Sequence, residues 1–300
     1  MNNIMKKDDF TALLDKGPIL LDGATGSNLL KMGIPRGIPT ELWVEEHPEA
    51  IQKLQRAYLE AGSQIIYAPT FQTNCIALRG HGWEGDALHE KVRSLNHKLV
   101  GYTQEAVQGK ALVAGDIGGT GSIMKPFGPL TYEELLECYS EQINSLVEAG
   151  VDLLVIETML SLDEAMVVMD AAASVCPELP VLASLTCEAD GSLFFGGNIF
   201  DAAAALAEIG ACAVGCNCSV GPDQLESVIA VIASKVTVPV IAKPNAGLPV
   251  ITETGEAVYS MKPEEFGIHM RKLQAAGASV LGGCCGTSPE YIGALARNCR

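Results

Sequence analysis

The chain has 300 residues, 48% of them hydrophobic, and a formal net charge of -16 from 36 acidic and 20 basic side chains. This length suits two small domains or one α/β barrel, since such barrels often run to ~250 residues. The acidic balance argues against nucleic acid and anionic membranes as partners, and no apolar run reaches the ~18 residues that a membrane helix needs.

The N-terminal segment carries lysines but no apolar stretch behind them, which predicts no signal peptide. We therefore expect a cytoplasmic protein whose ten cysteines are thiols in a reducing compartment. In that setting a cysteine cluster indicates metal binding or catalysis before it indicates a disulfide framework.

Eight short apolar runs recur along the chain, most of them separated by helical stretches. Several follow Ala-Gly or Ile-Gly, where the glycine supplies the left-handed cap just past a helix. A short apolar run in this position is typical of a strand buried on both faces. In chain order the runs cover residues 19–21, 64–67, 111–114, 152–156, 181–185, 211–214, 238–242 and 278–281.

Strands that alternate with helices pair in parallel, and eight such units predict a (β/α)8 TIM barrel, here a single domain over residues 1–300. A doubly wound open sheet is the rival fold, weakened because no Gly-x-Gly-x-x-Gly follows the first run. In a barrel the active site lies at the C-terminal ends of the strands. The polar or metal-binding residues at those ends are Asp22, Thr70, Asn74, Asp116, Glu157, Thr186, Asn217, Cys218, Asn245, Cys284 and Cys285.

Three of these residues are cysteines from two separate strand ends. Thiolates of Cys218, Cys284 and Cys285 meeting over a barrel mouth would form a soft sulfur site, which favours zinc. Three sulfurs leave one tetrahedral position open, as in catalytic zinc sites. Adjacent residues of a regular strand face opposite ways, so the vicinal pair needs a distortion that its flanking glycines permit.

Two alternatives concern the same thiols: Cys216 shares a strand face with Cys218 and is a further candidate ligand, and the Cys284–Cys285 pair could be redox-active. Cysteine is among the most buried residue types, so the remaining thiols are expected to be packing residues. These are Cys75, Cys138, Cys176, Cys187 and Cys212. Cys299, next to the chain end, is expected to be solvent-exposed.

The motifs in this order resemble those of the homocysteine S-methyltransferases, over nearly the whole chain. That family includes the homocysteine-binding module of cobalamin-dependent methionine synthase and the betaine–homocysteine methyltransferases. The matching segments are 21–27, Thr70-Phe71 with Asn74, 115–118, 156–158, 215–218 and 282–286, and segment 243–249 looks most like the methionine synthase branch.

The resemblance implies the same barrel and a zinc ion held by Cys218, Cys284 and Cys285. It also implies that Asn245 fills the fourth position when substrate is absent. Homocysteine would bind through its sulfur as a zinc thiolate, and the thiolate would attack a methyl donor to give methionine.

Two groups of residues are candidates for the amino-acid end of homocysteine. Asp22 and Glu157 could bind its ammonium, and the backbone amides around Ala24, Thr25 and Gly26 could bind its carboxylate, because small residues allow close approach. The alternatives are that Asp22 caps a turn and that Glu157 forms a buried ion pair inside the barrel.

The chain departs from the family pattern in two places. Residues 67–69 read Tyr-Ala-Pro where the family usually has an acidic residue or Thr-Asn, and Lys243 stands where Gln is more usual. Two side-chain hydrogen-bonding groups near the mouth are thereby lost, which leaves the substrate and donor contacts open.

The methyl donor is not specified by any motif, since nothing resembles a cobalamin-binding or folate-binding module. The segment around Asn245 favours methylcobalamin, carried on a corrinoid protein or another part of the chain, over S-methylmethionine or betaine. Other open functions are methylation of a different thiol and a domain that only delivers homocysteine within a larger assembly. A phosphate-binding barrel, with phosphate cradled by Gly282-Gly283 and Gly286-Thr287, is the non-metal alternative.

Overall fold

The computed structural model describes residues 5–252 and 257–299. Residues 1–4, 253–256 and 300 of the predicted domain lie outside the described residues. The strands, in chain order, are β1 (Ile19–Leu20), β2 (Ile65–Ala68), β3 (Leu112–Ile117), β4 (Leu153–Met159), β5 (Val181–Leu185), β6 (Ala213–Asn217), β7 (Val240–Lys243), β8 (Pro249–Ile251), β9 (Ala257–Tyr259) and β10 (Ala278–Leu281).

Eight of these strands form one sheet in the order β1-β10-β7-β6-β5-β4-β3-β2, with every ladder parallel. The two end strands are joined by Gln64, whose backbone N–H donates to the Leu20 carbonyl at 2.7 Å. Its side-chain Oε1 accepts from the Leu20 N–H at 2.9 Å. The sheet is therefore a nearly closed barrel, which confirms the predicted (β/α)8 fold and excludes the open doubly wound sheet.

Helices surround the barrel and connect successive strands. They are α1 (Lys7–Leu13), α2 (Gly26–Lys31), α3 (Thr40–Glu46), α4 (Pro48–Ala61), α5 (Cys75–Arg79), α6 (Gly85–Val107), α7 (Tyr132–Ala149), α8 (Leu162–Val175), α9 (Ile199–Glu208), α10 (Glu226–Lys235), α11 (Pro263–Ala275) and α12 (Pro289–Cys299). Helix α7 shows how the sequence sets these limits: Thr131 and Glu134 form a capping box at its start, and Gly150 ends it at φ +83°. None of the described helices is long and apolar enough to cross a membrane.

The core has two layers because successive strand residues face opposite sides of the sheet. Ile66 and Ala68 of β2 face the outer layer between sheet and helices, whereas Ile65 and Tyr67 face the barrel interior. Phe10 of α1 belongs to the interior layer and is fully buried. This double burial explains why the strands appear in the sequence as continuous apolar runs rather than alternating ones.

The predicted runs coincide with the eight barrel strands to within three residues at either end. Strands β8 and β9 were not predicted: they form an antiparallel hairpin outside the barrel. Val250, Ile251 and Val258 of this hairpin are exposed. A short apolar segment without a flanking helix gives no signal that separates such a hairpin from a loop.

Candidate active site

The thiols of Cys218, Cys284 and Cys285 meet at the C-terminal end of the barrel. Their Sγ atoms lie within 4.8 Å of one another, and those of Cys218 and Cys285 are 3.9 Å apart. It is the one group of three or more His, Cys, Asp or Glu side chains that the described residues place at metal-binding distances. Cys284 is buried and the other two are half-buried. A zinc ion bound here would have sulfur ligands and a side open to the mouth.

Cys218 reaches the cluster through an unusual backbone conformation. It follows β6 with φ +62°, and Ser219 follows with φ +57°, the left-handed region that non-glycine residues rarely adopt. The Cys218 N–H donates to the Lys243 carbonyl at 3.1 Å, and the Val220 N–H donates back to the Cys218 carbonyl at 2.8 Å. These bonds hold a strained turn, and such strain is concentrated at functional sites.

Cys284 and Cys285 lie beyond the end of β10, so the alternation of a regular strand does not apply to them. The Cys284 N–H donates to the Pro244 carbonyl at 2.7 Å, and Thr287 closes a turn by donating to the Cys284 carbonyl. Gly286 has φ +81°, which supplies the distortion expected from the flanking glycines. Gly283 serves close packing instead, since a side chain there would collide with Thr287.

Asn245 follows β7 and is 3% exposed. Its Nδ2 donates to the Ser219 carbonyl at 3.1 Å, but its Oδ1 has no hydrogen-bond partner among the described residues. A buried amide oxygen without a partner costs free energy unless a ligand satisfies it. An oxygen donor next to three thiols fits the fourth position of a tetrahedral zinc site.

The thiols are protonated at neutral pH unless a cation compensates their charge. Hydrogen bonds within the trio, which act in both directions, together with burial raise the pKa of Cys218 to about 11 and that of Cys285 to about 12. The pKa of Cys284 is raised further, first by its hydrogen bond to Cys218. A bound metal ion reverses this effect by stabilising the thiolates. The residues present therefore fit a zinc ion.

A family profile described as homocysteine S-methyltransferase matches residues 19–299, which is nearly the whole chain. The chain belongs to the homocysteine S-methyltransferase family. The family resemblance found in the motifs is thus confirmed.

Two relatives of this family member are proteins named methionine synthase. The one from Mycobacterium leprae is 28% identical over 288 residues, covering 90% of this chain and 23% of the relative. The one from Mycobacterium tuberculosis is 28% identical over 301 residues, covering 95% of this chain and 25% of the relative. The chain therefore spans about a quarter of the length of these curated relatives.

Solved structures of another family member share the fold. The homocysteine methyltransferase MmuM from Escherichia coli in its oxidized form has a TM-score of 0.80 and 25% identity, covering 96% of this chain and 98% of that chain. Its metallated form has a TM-score of 0.80 at 24% identity, covering 95% and 98%. The match thus extends over nearly the whole of that solved chain.

Beside the thiols, this family member has a buried cluster of charged side chains inside the mouth. Asp22 follows β1, Asp116 lies in β3, Glu157 in β4 and Lys243 at the end of β7, and each is at most 8% exposed. One carboxyl oxygen of each acid has no hydrogen-bond partner among the described residues. Lys243 Nζ is 3.0 Å from Glu157 Oε2, an ion pair without hydrogen-bond alignment.

Burial is the main cause of the raised pKa of both aspartates in this cluster, Asp22 and Asp116. It raises the pKa of Asp22 to about 7, although the charge of Lys243 and the Tyr67 N–H, which donates to Asp22 Oδ2 at 2.9 Å, act in the opposite direction. Burial and the neighbouring Glu157 charge raise the pKa of Asp116 well above its ordinary value. Burial thus disfavours the negative charge of both aspartates, and the third acid of the cluster, Glu157, is the one that pairs with Lys243.

The segment predicted to bind the substrate carboxylate lies at the start of α2. The Ala24 N–H donates to Thr287 Oγ1 at 3.1 Å, so this amide is used inside the protein. Thr25 and Gly26 follow it and are half-buried. The Ala24 carbonyl accepts from Asn28 Nδ2 at 2.7 Å and from the Tyr58 hydroxyl at 2.8 Å, which fixes the segment against the wall of the barrel.

The structure contradicts one alternative and one expectation about the cysteines. Cys216 belongs to the outer core layer, as Cys187 does, so it points away from the sulfur cluster. Cys299 is 5% exposed rather than solvent-exposed, because α12 packs against α11 up to its last turn, where the Gln274 side chain donates to the Cys299 carbonyl. Position near a chain end does not reveal such docking.

Sequence reasoning missed Tyr259 in the β8–β9 hairpin. Its ring packs directly on Gly286, where a side chain would collide with it. Its side chain lies close to the Cys285 thiol and lowers the pKa of that thiol. The hairpin thus reaches the sulfur cluster from outside the barrel. No local signal marks this tyrosine, because the contact depends on where the hairpin folds.

Proposed function

We propose that this chain is a zinc-dependent homocysteine S-methyltransferase module that prepares the homocysteine sulfur for attack on a methyl donor. The main supporting observation is that the three Sγ atoms lie within 4.8 Å of one another. Asn245 contributes a buried Oδ1 that has no hydrogen-bond partner among the described residues. Three sulfurs and one exchangeable oxygen are the ligand set of a catalytic zinc with a replaceable ligand. Cys218, Cys284, Cys285 and Asn245 are therefore the proposed metal ligands.

Zinc bound by these residues would lower the pKa of a coordinated substrate thiol, so that the sulfur is nucleophilic at neutral pH. The chain contributes three anionic sulfurs, which keep the site electron-rich. The buried turns at Cys218 and Cys284 fix two of them through the hydrogen bonds to Lys243 and Pro244. Asn245 would yield its place to the substrate sulfur.

The charged cluster would hold the amino-acid end of homocysteine. Asp22 has a carboxyl oxygen without a hydrogen-bond partner among the described residues, and Glu157 lies beside it in the mouth with Lys243 as its ion-pair partner. These two acids are the proposed partners of the ammonium. The amides of Thr25 and Gly26 are the proposed donors to the carboxylate, and the small Ala24 leaves room for its approach. Positioning both ends would orient the sulfur toward the donor.

For the methyl donor we propose methylcobalamin, carried on a corrinoid protein or on a further part of a longer chain. The methionine synthase-like segment 243–249 supports this choice. The similarity to two proteins named methionine synthase supports it as well. S-methylmethionine, S-adenosylmethionine and betaine are the alternative donors.

The backbone argues against the phosphate-binding alternative. The amides that would cradle a phosphate are already donated: Gly282 to the Ala242 carbonyl, Gly283 to the Asp22 carbonyl and Gly286 to Ser27 Oγ. Thr287 donates its amide to Cys284. An anion cradle needs such N–H groups unpaired.

Methionine formation tests the proposal directly. Zinc-loaded protein is incubated with homocysteine and methylcobalamin, and separately with each of the alternative donors. We expect methionine with methylcobalamin, loss of activity in Cys285→Ser, and unchanged activity in Cys212→Ser, a half-buried thiol outside the cluster. Turnover only with the small donors contradicts the corrinoid, whereas zinc binding without turnover on any donor favours a domain that only delivers homocysteine.

A further inference from the structure

Lys243 is the residue whose position the proposed chemistry does not explain. Its side chain points into the barrel mouth, only 4% exposed, and pairs with the Glu157 side chain, 10% exposed. The pair is more buried than the other ion pairs of the described residues. Charged side chains are placed in such surroundings only when they are paired.

The contacts of Lys243 hold its ammonium next to one acid, Glu157. Nζ lies 3.0 Å from Glu157 Oε2 and 4.7 Å from the centre of the Tyr67 ring. A cation over a tyrosine face is attracted by the ring. Tyr67 is itself held, since its N–H donates to Asp22 Oδ2. The ring and Glu157 therefore keep the ammonium inside the pocket rather than in solvent.

This position coincides with a proposed contact of the substrate. The proposed function gives Asp22 and Glu157 to the α-ammonium of homocysteine, yet a protein ammonium already lies at Glu157. Two cations at one carboxylate repel each other, so a substrate ammonium gains less from Glu157 than it would from an unpaired acid.

We propose that Lys243 is a specificity-determining residue that occupies Glu157 and so weakens selection for the α-amino group of the thiol substrate. The inference rests on the proposed thiol chemistry and deepens it. The substrate class widens from homocysteine to ω-mercapto carboxylates that lack the ammonium. A site that pairs with a substrate N–H rejects the analogue without it by roughly 10⁴-fold, and a site whose acid is already paired loses this discrimination.

Calorimetric titration of zinc-loaded protein with two thiols tests this. The probes are L-homocysteine and 4-mercaptobutyrate, which differ only in the α-ammonium. The unmodified protein should bind them with affinities within about tenfold of each other. Lys243→Met frees Glu157 and should raise the preference for homocysteine at least about tenfold. The double variant Glu157→Gln/Lys243→Met removes both charges and should return the ratio to that of the unmodified protein.

The ratio of two affinities separates selectivity from general damage, because a loosened pocket weakens both thiols together. A clear preference for homocysteine above about tenfold in the unmodified protein overturns the proposal without any variant. So does an unchanged ratio in Lys243→Met when both thiols still bind. Binding of neither thiol to the unmodified zinc-loaded protein would instead contradict the proposed function itself.

Discussion

The lower interior of the barrel and its mouth are built from opposite kinds of side chain. The lower interior is apolar and fully closed, with buried side chains that include Phe10, Ile19, Leu153, Leu182 and Val280. The mouth carries buried polar atoms without hydrogen-bond partners among the described residues, on Asp22, Asp116, Glu157, Thr186 and Asn245. Both regions are lined by the same strands, a few residues apart.

The difference shows which part of a strand serves stability and which serves the site. Apolar burial in the lower interior stabilises the fold, whereas each unpartnered polar atom in the mouth costs stability. Such groups are kept where a ligand satisfies them. The comparison therefore predicts large stability losses from changes below the mouth and altered ligand or pH behaviour from changes within it.

Leu153→Ala should produce the largest effect. Leu153 is 0% exposed at the start of β4, and its truncation leaves a cavity in a region that cannot collapse easily. We expect the free energy of unfolding to fall by about 4 kcal/mol. The control is Ile268→Ala on the outer face of α11, 55% exposed, with a change within about 0.5 kcal/mol. Equal losses of unfolding free energy in the two variants would contradict the assignment of stability to the lower interior of the barrel.

Asp22→Asn should change how stability depends on pH. The folded pKa of Asp22, about 7, lies above its ordinary value of 3.8, because burial disfavours the charged form. Below pH ~4 the Asp22 carboxyl is neutral in both the folded and the unfolded protein, and its burial costs little. As the pH rises through 7 the folded protein loses stability, because the unfolded chain ionises this carboxyl first. Relative to the unmodified protein, the variant should gain roughly 3–4 kcal/mol between pH 4 and pH 8.

Urea unfolding of both proteins across that pH range measures this difference. Asp190→Asn, at an exposed acid whose pKa is lowered by its hydrogen bonds to Ser192, is the control and should not show the gain. If the free energy of unfolding depends on pH in the same way in Asp22→Asn and in the unmodified protein, burial does not raise the pKa of Asp22 in the mouth.

Asn245→Ala should have the smallest effect on stability and a distinct effect on metal. The change removes an oxygen that has no partner and one hydrogen bond to Ser219, so we expect the free energy of unfolding to shift by about 1 kcal/mol or less. Zinc affinity, measured by competition with a chelator, should fall about tenfold. Asn144→Ala, an exposed site with one similar bond to Ser140, should leave the zinc affinity unchanged.

The fold and the sulfur cluster could be predicted from the sequence because both depend on local patterns. The repeated helix, glycine and apolar run encodes each βα unit, and a cysteine at a strand end has few roles other than packing or metal binding. The closing seam could not be predicted, since the Gln64 side chain replaces a backbone partner of β1 there.

The contents of the mouth were less predictable because they depend on distant partners. Glu157 and Lys243 lie on strands β4 and β7, and only the closed barrel brings their charges within 3.0 Å. The same holds for Tyr259, which reaches Cys285 through a hairpin that carries no periodic signal. A strand end indicates that a residue faces the mouth, but not which neighbour neutralises it.

The most direct test of the central claim is the zinc content of the purified protein, with Cys285→Ser beside it and homocysteine added to both. We expect about one zinc ion per chain, lost or weakened in the variant, and a metal–sulfur absorption signal that changes when homocysteine binds. Protein without zinc, or zinc content indifferent to Cys285, would contradict the proposed thiol chemistry.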